Sequence, residues 1–417
     1  MRLVPCAVGL FALCAACTTA PPVQPLPMER PAMGGLSTAQ RTRIATFLER
    51  MQQEGKVAGT VALVARRGRI VLLSAHGFAD LESRRAIRVD DLFHLQSMSK
   101  PIATVAALQL MERGLLRLSD PVARFLPAFS DLRVAVDRPG SPGQYELVAA
   151  LRPITIGDLL THRAGFVGLP PRDTAAARLQ REAAKALPPH QADTLDQYVT
   201  HLAALPLDAQ PGTDFRYGPA TIVLGRIIEV ITGQTLDVAL HEQIFRPLGM
   251  TDTFFTVPEA KRGRVVSPYA LRPGRGLVRV PLDPMPPRFL SAAGNLYGTP
   301  TDYLRFCQML LNGGELDSVR ILSRQSVELM TTPQVHSIPL PFLPGHAFGL
   351  GVAIRKDDPA AWPGTPGTYG WSGGYNTYFR IDPREQVVFA LFAQLVFSPV
   401  ELELQRGFHD IVVQALH

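Results

Sequence analysis

The sequence predicts an α+β protein in the wider α/β class, with an antiparallel sheet built from both ends of the chain and flanked by helices. Near the N-terminal end, β-rich runs at 57–65 and 69–74 are separated by the turn residues Arg67 and Gly68. Near the other end, strand-like runs lie at 349–355, 375–381 and 387–393. Helical patterns occupy most of the chain between them, which is typical of a sheet completed by distant strands.

The helical patterns are spaced along the whole chain. They lie at 38–54, 97–114, 220–232, 300–311 and 402–416. The middle region, 131–216, is rich in Pro and Ala, with helical pieces at 175–187 and 195–205. We expect one domain over 38–417, in which 131–216 is mostly helical and shapes the entrance of the pocket.

Composition indicates a globular enzyme. The chain has 417 residues, of which 46% are hydrophobic and 19% are charged, which is too apolar for disorder. The net charge of +6 is spread along the chain without a long Lys/Arg block. We therefore predict no nucleic-acid partner.

The N-terminal segment predicts export. Residues 1–17 combine a positive charge at Arg2, an apolar stretch too short to span a bilayer, and small residues before Cys17. Cleavage before Cys17 with a lipid on that cysteine gives a membrane-anchored lipoprotein of a bacterial envelope. Export to the periplasm without the lipid is the alternative, since Cys14 stands where an aliphatic residue is expected. Residues 18–37 read as a flexible tether.

Cys307 is the one cysteine outside the N-terminal segment, so no disulfide is expected within the mature chain. We predict that its thiol is buried. The chain has no His-Glu-x-x-His motif and no paired Cys/His spacing. No metal site and no cofactor are predicted.

Ser97 and Lys100 form a candidate nucleophile and base. A serine hydroxyl needs a base to remove its proton, and a residue three positions later on a helix lies on the same face. A buried lysine without an acidic neighbour can supply that base. The pattern alone is weak evidence for a catalytic pair, because a serine that caps a helix and is followed by a solvated lysine gives the same sequence.

Ser372 is a rival nucleophile, because Gly370–Gly374 matches the Gly-x-Ser-x-Gly turn of α/β-hydrolases. That turn leads from a strand into a helix, whereas the residues after Ser372 are strand-like. Too little chain follows for the rest of such a fold. We therefore prefer Ser97.

The remaining motifs resemble those of the serine β-lactamase-like hydrolases, in particular class C β-lactamases and the carboxylesterases called family VIII. Ser97-x-x-Lys100 is similar to their first motif, Tyr217 to the tyrosine of the second, and Trp371-x-Gly373 to the third. Supporting likenesses lie at 118–122, 154–162, 247–250 and 291–296. The likeness covers about residues 40–415.

This resemblance implies an acyl-enzyme on Ser97, with Lys100 and Tyr217 sharing the proton transfers. Which of the two is the base stays open. It also implies that the N–H groups of Ser97 and Gly374 hold the oxyanion. Gly373 is expected to leave room for substrate along the strand. His162 is interpreted as a structural histidine, because lysine and tyrosine already fill the base roles.

Two departures from the family pattern concern the substrate, which is expected to be a small ester or amide. Tyr217-Gly218-Pro219 lacks the asparagine of the second motif, and Trp371 replaces the lysine that attracts a β-lactam carboxylate. Both favour neutral esters, so ester hydrolysis is the main hypothesis. A β-lactamase or D-amino-acid peptidase, or an inactive relative that binds cell-wall or peptide ligands, is the alternative. The oligomeric state is not predicted.

Overall fold

The computed structural model describes residues 26–27, 36–141, 143–186, 194–281, 288–335, 340–396, 398 and 400–416. The predicted export signal with Cys17, and most of the predicted tether, lie outside the described residues. Within that tether, the carbonyl of Pro27 accepts a hydrogen bond of 3.0 Å from the N–H of Ile70. None of the helices in these ranges is long and apolar enough to cross a membrane.

The predicted sheet is confirmed. The strands in chain order are β1 Gly59–Arg66, β2 Arg69–Asp80, β3 Arg85–Ala86, β4 Phe93–His94, β5 Arg133–Asp137, β6 Tyr145–Ala149, β7 Tyr269–Arg272, β8 Gly276–Arg279, β9 Tyr297–Gly298, β10 Glu315–Leu316, β11 Val319–Arg320, β12 His346–Phe348, β13 Ala353–Arg355, β14 Tyr369–Gly373, β15 Thr377–Asp382 and β16 Val387–Phe392. Eight of them form one sheet in the order β12-β13-β14-β15-β16-β1-β2-β3. Neighbouring strands in it are antiparallel. Strands from the two ends of the chain meet where β16 pairs with β1.

Helices cover both faces of this sheet. They are α1 Thr38–Gln53, α2 Ser99–Glu112, α3 Ile156–Leu160, α4 Ala175–Ala186, α5 Leu195–Ala203, α6 Ala220–Thr232, α7 Leu236–Leu240, α8 Arg246–Leu248, α9 Pro300–Leu311, α10 Arg324–Thr331 and α11 Glu401–Leu416. Alternate residues of β15 separate the two layers: Tyr378 packs with α1 and α11, whereas Phe379 packs in the larger core with α2, α6 and α9. This two-faced burial explains why the central strands read as continuous apolar runs.

The prediction of a mostly helical region at 131–216 is wrong in its first part. The region opens with the antiparallel pair β5 and β6, and only α3, α4 and α5 are helical among its described residues. Gly140 and Gly143 adopt positive φ angles in the connection, which is the usual role of glycine in a hairpin. The high Pro and Ala content concealed the β-branched residues Val134 and Val136.

The predicted strand at 349–355 is also different in the structure. Only its last three residues form a strand, β13, whereas 349–352 form the turn that connects β12 to β13 and in which Gly351 has a φ of +72°. A Cβ on Gly351 would collide with the hydroxyl of Thr104 on α2. The turn therefore brings the outer strands against the helix that follows Ser97.

Candidate active site

Ser97 lies in a tight turn just before α2. A 3₁₀ helix, Gln96–Met98, leads into α2, and Gln96 has a left-handed φ of +50°, which is costly for a residue with a side chain. The Ser99 hydroxyl donates to the Gln96 carbonyl at 2.7 Å, and the Tyr303 hydroxyl donates to the Met98 carbonyl at 2.9 Å. These bonds hold the Ser97 turn from both sides, and α2 begins at Ser99 rather than at Ser97.

Lys100 lies beside Ser97. Its Nζ donates to Ser97 Oγ at 2.9 Å and to the carbonyl of Ala293 at 2.7 Å. The side chain is buried, and no carboxylate in the described ranges forms an ion pair with it. The spacing of three residues thus places an amine in direct contact with the candidate nucleophile.

Tyr217 completes a cluster with Lys100 and Trp371. Lys100 Nζ lies 4.7 Å from the centroid of the Tyr217 ring, within the range of a cation–π contact. Trp371 Nε1 donates to Tyr217 Oη at 3.0 Å. The indole is therefore a hydrogen-bond donor as well as an aromatic wall, which sequence reasoning missed.

The loop that carries Tyr217 is fixed by buried contacts on both sides. Arg216 forms ion pairs with Asp208 and, at 3.2 Å, with Asp214. Its N–H donates to the carbonyl of His162 at 2.8 Å, and the N–H of Leu169 donates to the carbonyl of Tyr217 at 2.8 Å. Because the side chains of Arg216 and Asp208 are both buried, this pair anchors the residue next to the tyrosine.

His162 packs against the Tyr217 ring, with ring centroids 4.7 Å apart. Burial, together with the charge of Lys100, lowers the pKa of His162 to about 3. The imidazole is therefore neutral near pH 7, and it also contacts the ring of Phe348. These contacts are those of a packed core histidine.

Gly373 lies where β14 meets the Ser97 turn. A Cβ at this position would collide with the Leu95 carbonyl oxygen and the Thr377 hydroxyl, and would lie 3.0 Å from Cβ of Gln96. Thr377 Oγ1 donates to the Leu95 carbonyl at 2.9 Å. Close packing of the strand against the turn is therefore a further reason for this glycine, beside the expected clearance for substrate in the cavity that Gly373 lines.

Trp371, Ser372 and Gly373 form an open edge of β14. The neighbouring strand β13 pairs only with Tyr369 and Gly370 among the described residues. Past Gly370, backbone groups on this side of β14 have no strand partner there. An extended substrate can lie along such an edge.

Ser372 does not lie in a strand–turn–helix arrangement. It belongs to β14, and three turn residues lead directly into β15. The geometry that exposes the serine in the Gly-x-Ser-x-Gly motif is absent at this position.

A cavity of about 440 Å³ connects the predicted site residues. Ser97, Tyr217, Trp371, Gly373 and Gly374 line it, whereas Lys100 contacts it through Ser97. Its further lining residues are Gln96, Leu169, Phe342, Leu343, Trp362, Ser372, Arg380, Ser398, Glu401, Leu402 and Gln405. Sequence reasoning missed Arg380 and Glu401, which belong to no motif.

Two other predictions concern chemistry away from the cavity. The thiol of Cys307 is fully buried, which raises its pKa well above the ordinary value; the predicted buried thiol is confirmed. Over the described ranges, no three His, Cys, Asp or Glu side chains are grouped closely enough to hold a metal ion.

Comparison with known proteins places this geometry in context. Residues 44–413 match the model of the Beta-lactamase family. Esterase EstB of Burkholderia gladioli is 32% identical over 82% of this chain and 86% of its own length. Penicillin-binding protein 4 of Amycolatopsis lactamdurans is 31% identical over 73% of each chain. The solved structure of EstCE1, described as a hydrolase with promiscuous acyltransferase activity, is 25% identical with a TM-score of 0.71, covering 91% of this chain and 98% of that one.

Proposed function

The chain belongs to the β-lactamase family of serine hydrolases, and we propose that it hydrolyses carboxylic esters through an acyl-enzyme on Ser97. The observation that carries the proposal is the 2.9 Å contact between Lys100 Nζ and Ser97 Oγ. This distance lies within the hydrogen-bond reach that a nucleophile and its base require.

Acylation begins with attack of Ser97 Oγ on the ester carbonyl carbon. The hydroxyl proton passes to Lys100 Nζ, which must be neutral when it accepts it. The carbonyl oxygen becomes an oxyanion, held by the N–H groups of Ser97 and Gly374. Collapse of this intermediate breaks the bond to the alcohol oxygen, which takes a proton from the Lys100–Tyr217 pair. Direct contact with Ser97 favours Lys100 as the base and leaves Tyr217 nearer to the alcohol.

Deacylation repeats these steps with water. Water attacks the ester of Ser97, its proton passes to the same pair, and the acid product leaves as Ser97 Oγ regains a proton. Because both half-reactions use the same groups, removal of either Lys100 or Tyr217 should slow acylation and hydrolysis of the acyl-enzyme.

Two residues favour esters over β-lactams. Trp371 carries no charge, and its Nε1 is already bonded to Tyr217, so it offers no cation at this position of the third motif. Pro219 has no side-chain amide, and it serves as the residue before α6. A polar contact to an acylamino group is therefore missing at this position.

The test compares turnover of 4-nitrophenyl butyrate and of nitrocefin by the purified chain. We expect ester turnover by the wild type, none above background for Ser97→Ala, and losses for Lys100→Met and Tyr217→Phe. Ser372→Ala is the matched control, since this serine lines the same cavity but is not the nucleophile. Nitrocefin turnover without ester turnover would contradict the proposal and favour the β-lactamase alternative.

We also propose that the chain is exported and that Cys17 carries a lipid. The support is the charged, apolar and small-residue order of residues 1–17. Expression in a bacterial host with radiolabelled palmitate tests the lipid, with Cys17→Ser as the control. We expect radiolabel on the wild type and none on Cys17→Ser. A wild-type chain that is found in the periplasm without label would support export but contradict the lipid on Cys17.

A further inference from the structure

Arg380 is a buried cation in the wall of the candidate active-site cavity. It lies on β15 directly opposite Gly370 of β14, it is 4% exposed, and it lines the same cavity as Ser97. Nothing in the motifs assigns it a role.

The surroundings of Arg380 hold its position without neutralising its charge. Its Nη1 donates to the carbonyls of Trp371 and Phe379 at 3.2 and 2.8 Å. The guanidinium carbon lies 4.4 Å from the centroid of the Tyr378 ring and 5.9 Å from that of Trp362. Two carbonyl dipoles and two aromatic rings support a cation, but none of them carries a negative charge.

No carboxylate of the described residues forms an ion pair with Arg380. The nearby imidazoles carry no charge near pH 7, because burial lowers the pKa of His346 to about 4 and that of His409 to about 3. Nε and Nη2 of Arg380 donate to no described residue. Since a buried charge without a partner is costly, and guanidinium is the preferred partner of carboxylate and phosphate groups, a ligand anion is the natural complement.

The geometry points to an anion-binding subsite at Arg380: the substrate of this enzyme is an ester that carries a second, negatively charged group, bound by the free edge of this guanidinium. This differs from the neutral ester expected from Trp371 and Pro219, because that expectation took only the motif residues into account and Arg380 lies outside the motifs. This inference rests on the proposed ester hydrolysis and names its substrate class. The cavity suits such a molecule, because Leu169 and Phe342 provide an exposed apolar part, and the polar residues Ser398 and Gln405 line the cavity together with Arg380.

Glu401 is the one carboxylate that lines this cavity among the described residues. Burial raises its pKa, and Nε2 of Gln405 donates to it at 3.4 Å. When ionised it opposes a bound anion. Removal of its charge in Glu401→Gln should therefore strengthen anion binding, which is opposite to the effect expected of Arg380→Gln.

The experiment uses two matched pairs of esters, which distinguish the acyl side from the alcohol side. The first pair is 4-nitrophenyl hydrogen adipate and 4-nitrophenyl hexanoate. The second pair is 4-butyryloxybenzoate and its neutral methyl ester. For each pair, the ratio of kcat/KM for the anionic ester to that for the neutral ester is measured, with Ser97→Ala as the background.

In at least one pair the wild-type ratio should be about tenfold or more in favour of the anion, and Arg380→Gln should lower it about tenfold or more. Arg380→Lys should retain part of the ratio, and Glu401→Gln should raise it. Arg66→Gln, in the same sheet but paired with Glu385, should leave the ratio unchanged. The Arg380 variants also lose the hydrogen bond to the Trp371 carbonyl, which can lower activity in general. Such a loss lowers kcat/KM for the anionic and the neutral ester alike, so it does not change their ratio.

The inference is overturned if the wild type prefers the neutral ester in both pairs, or if the Arg380 and Glu401 variants leave both ratios unchanged. Turnover of neutral esters that depends on Ser97 would then still support the proposed function. Absence of turnover for all four esters would instead count against ester hydrolysis itself.

Discussion

Trp371 Nε1 donates a 3.0 Å hydrogen bond to Tyr217 Oη, joining two residues that are 154 positions apart in the chain. In the β-lactamase form of the third motif, which this segment resembles, a lysine occupies the position of Trp371. A neutral N–H group therefore stands where the β-lactamase motif has a cation, and it points at the hydroxyl of the second proton carrier.

Replacement of Trp371 by Phe tests this bond. The ring remains and the N–H donor is lost, which should lower kcat for 4-nitrophenyl butyrate about tenfold, the equivalent of a hydrogen bond worth about 1.4 kcal/mol. Steady-state kinetics of Trp371→Phe, Tyr217→Phe and the double variant measure the coupling. If the two losses are simply additive, the bond has no part in catalysis.

Asp208→Asn tests the buried ion pair beside Tyr217. The change leaves Arg216 with less compensation in a buried site, so the free energy of unfolding should fall by about 3 kcal/mol, and kcat should fall with it. Arg172→Gln is the control, because it breaks only a partly exposed pair with Asp214, worth about 1 kcal/mol or less. Urea unfolding compares the two. Equal stability losses would mean that the buried pair does not anchor the loop.

Gly373→Ala tests the contact between β14 and the Ser97 turn. Because the added methyl group collides with the Leu95 carbonyl, we expect a loss of kcat of about a hundredfold or more, comparable to loss of an oxyanion donor. Gly263→Ala is the control, since a Cβ there meets no atom within 4 Å. A fully active Gly373→Ala variant, seen in the same ester assay, would refute the packing role.

Acid should destabilise the fold through its buried histidines. Burial lowers the pKa values of His94 and His346 to about 4 and of His162 and His409 to about 3, against 6.5 in the unfolded chain. Between pH 6.5 and about 4 the unfolded state thus binds more protons, and stability falls as the pH falls. Burial raises the pKa of Asp302 to about 6. Between pH 6 and 4 the folded state therefore binds one more proton at this carboxyl than the unfolded state, which partly offsets the loss of stability from the histidines.

Urea unfolding at pH 7.0, 5.5 and 4.5 measures this trend. His409→Gln should reduce the slope by about one proton, or about 1.4 kcal/mol per pH unit. If the free energy of unfolding stayed constant or rose towards pH 4.5, the predicted destabilisation by the four buried histidines would be contradicted.

Local patterns in the sequence predicted those parts of the molecule that depend on neighbouring residues. The Ser97 and Lys100 spacing, the strands around Phe389, and the glycine turn before β2 are of this kind. The hairpin β5–β6 was missed because Pro and Ala dominate the surrounding composition, although Val134 and Val136 carried the signal.

Contacts between segments that are distant in the chain could not be predicted from local sequence patterns. The absence of a carboxylate partner for Arg380 among the described residues depends on every described segment that packs around β15, and the clash at Gly373 depends on the carbonyl of Leu95. Neither follows from residue type or spacing. Both concern the site itself, where function rather than local propensity decides which residue is present.

The central claim is that Ser97 is the nucleophile, and intact-mass spectrometry after treatment with a fluorophosphonate tests it most directly. One adduct per chain is expected on the wild type and on Ser372→Ala, mapped by peptide analysis to Ser97, and none on Ser97→Ala. An unlabelled wild type, or equal labelling of Ser97→Ala, would contradict the account.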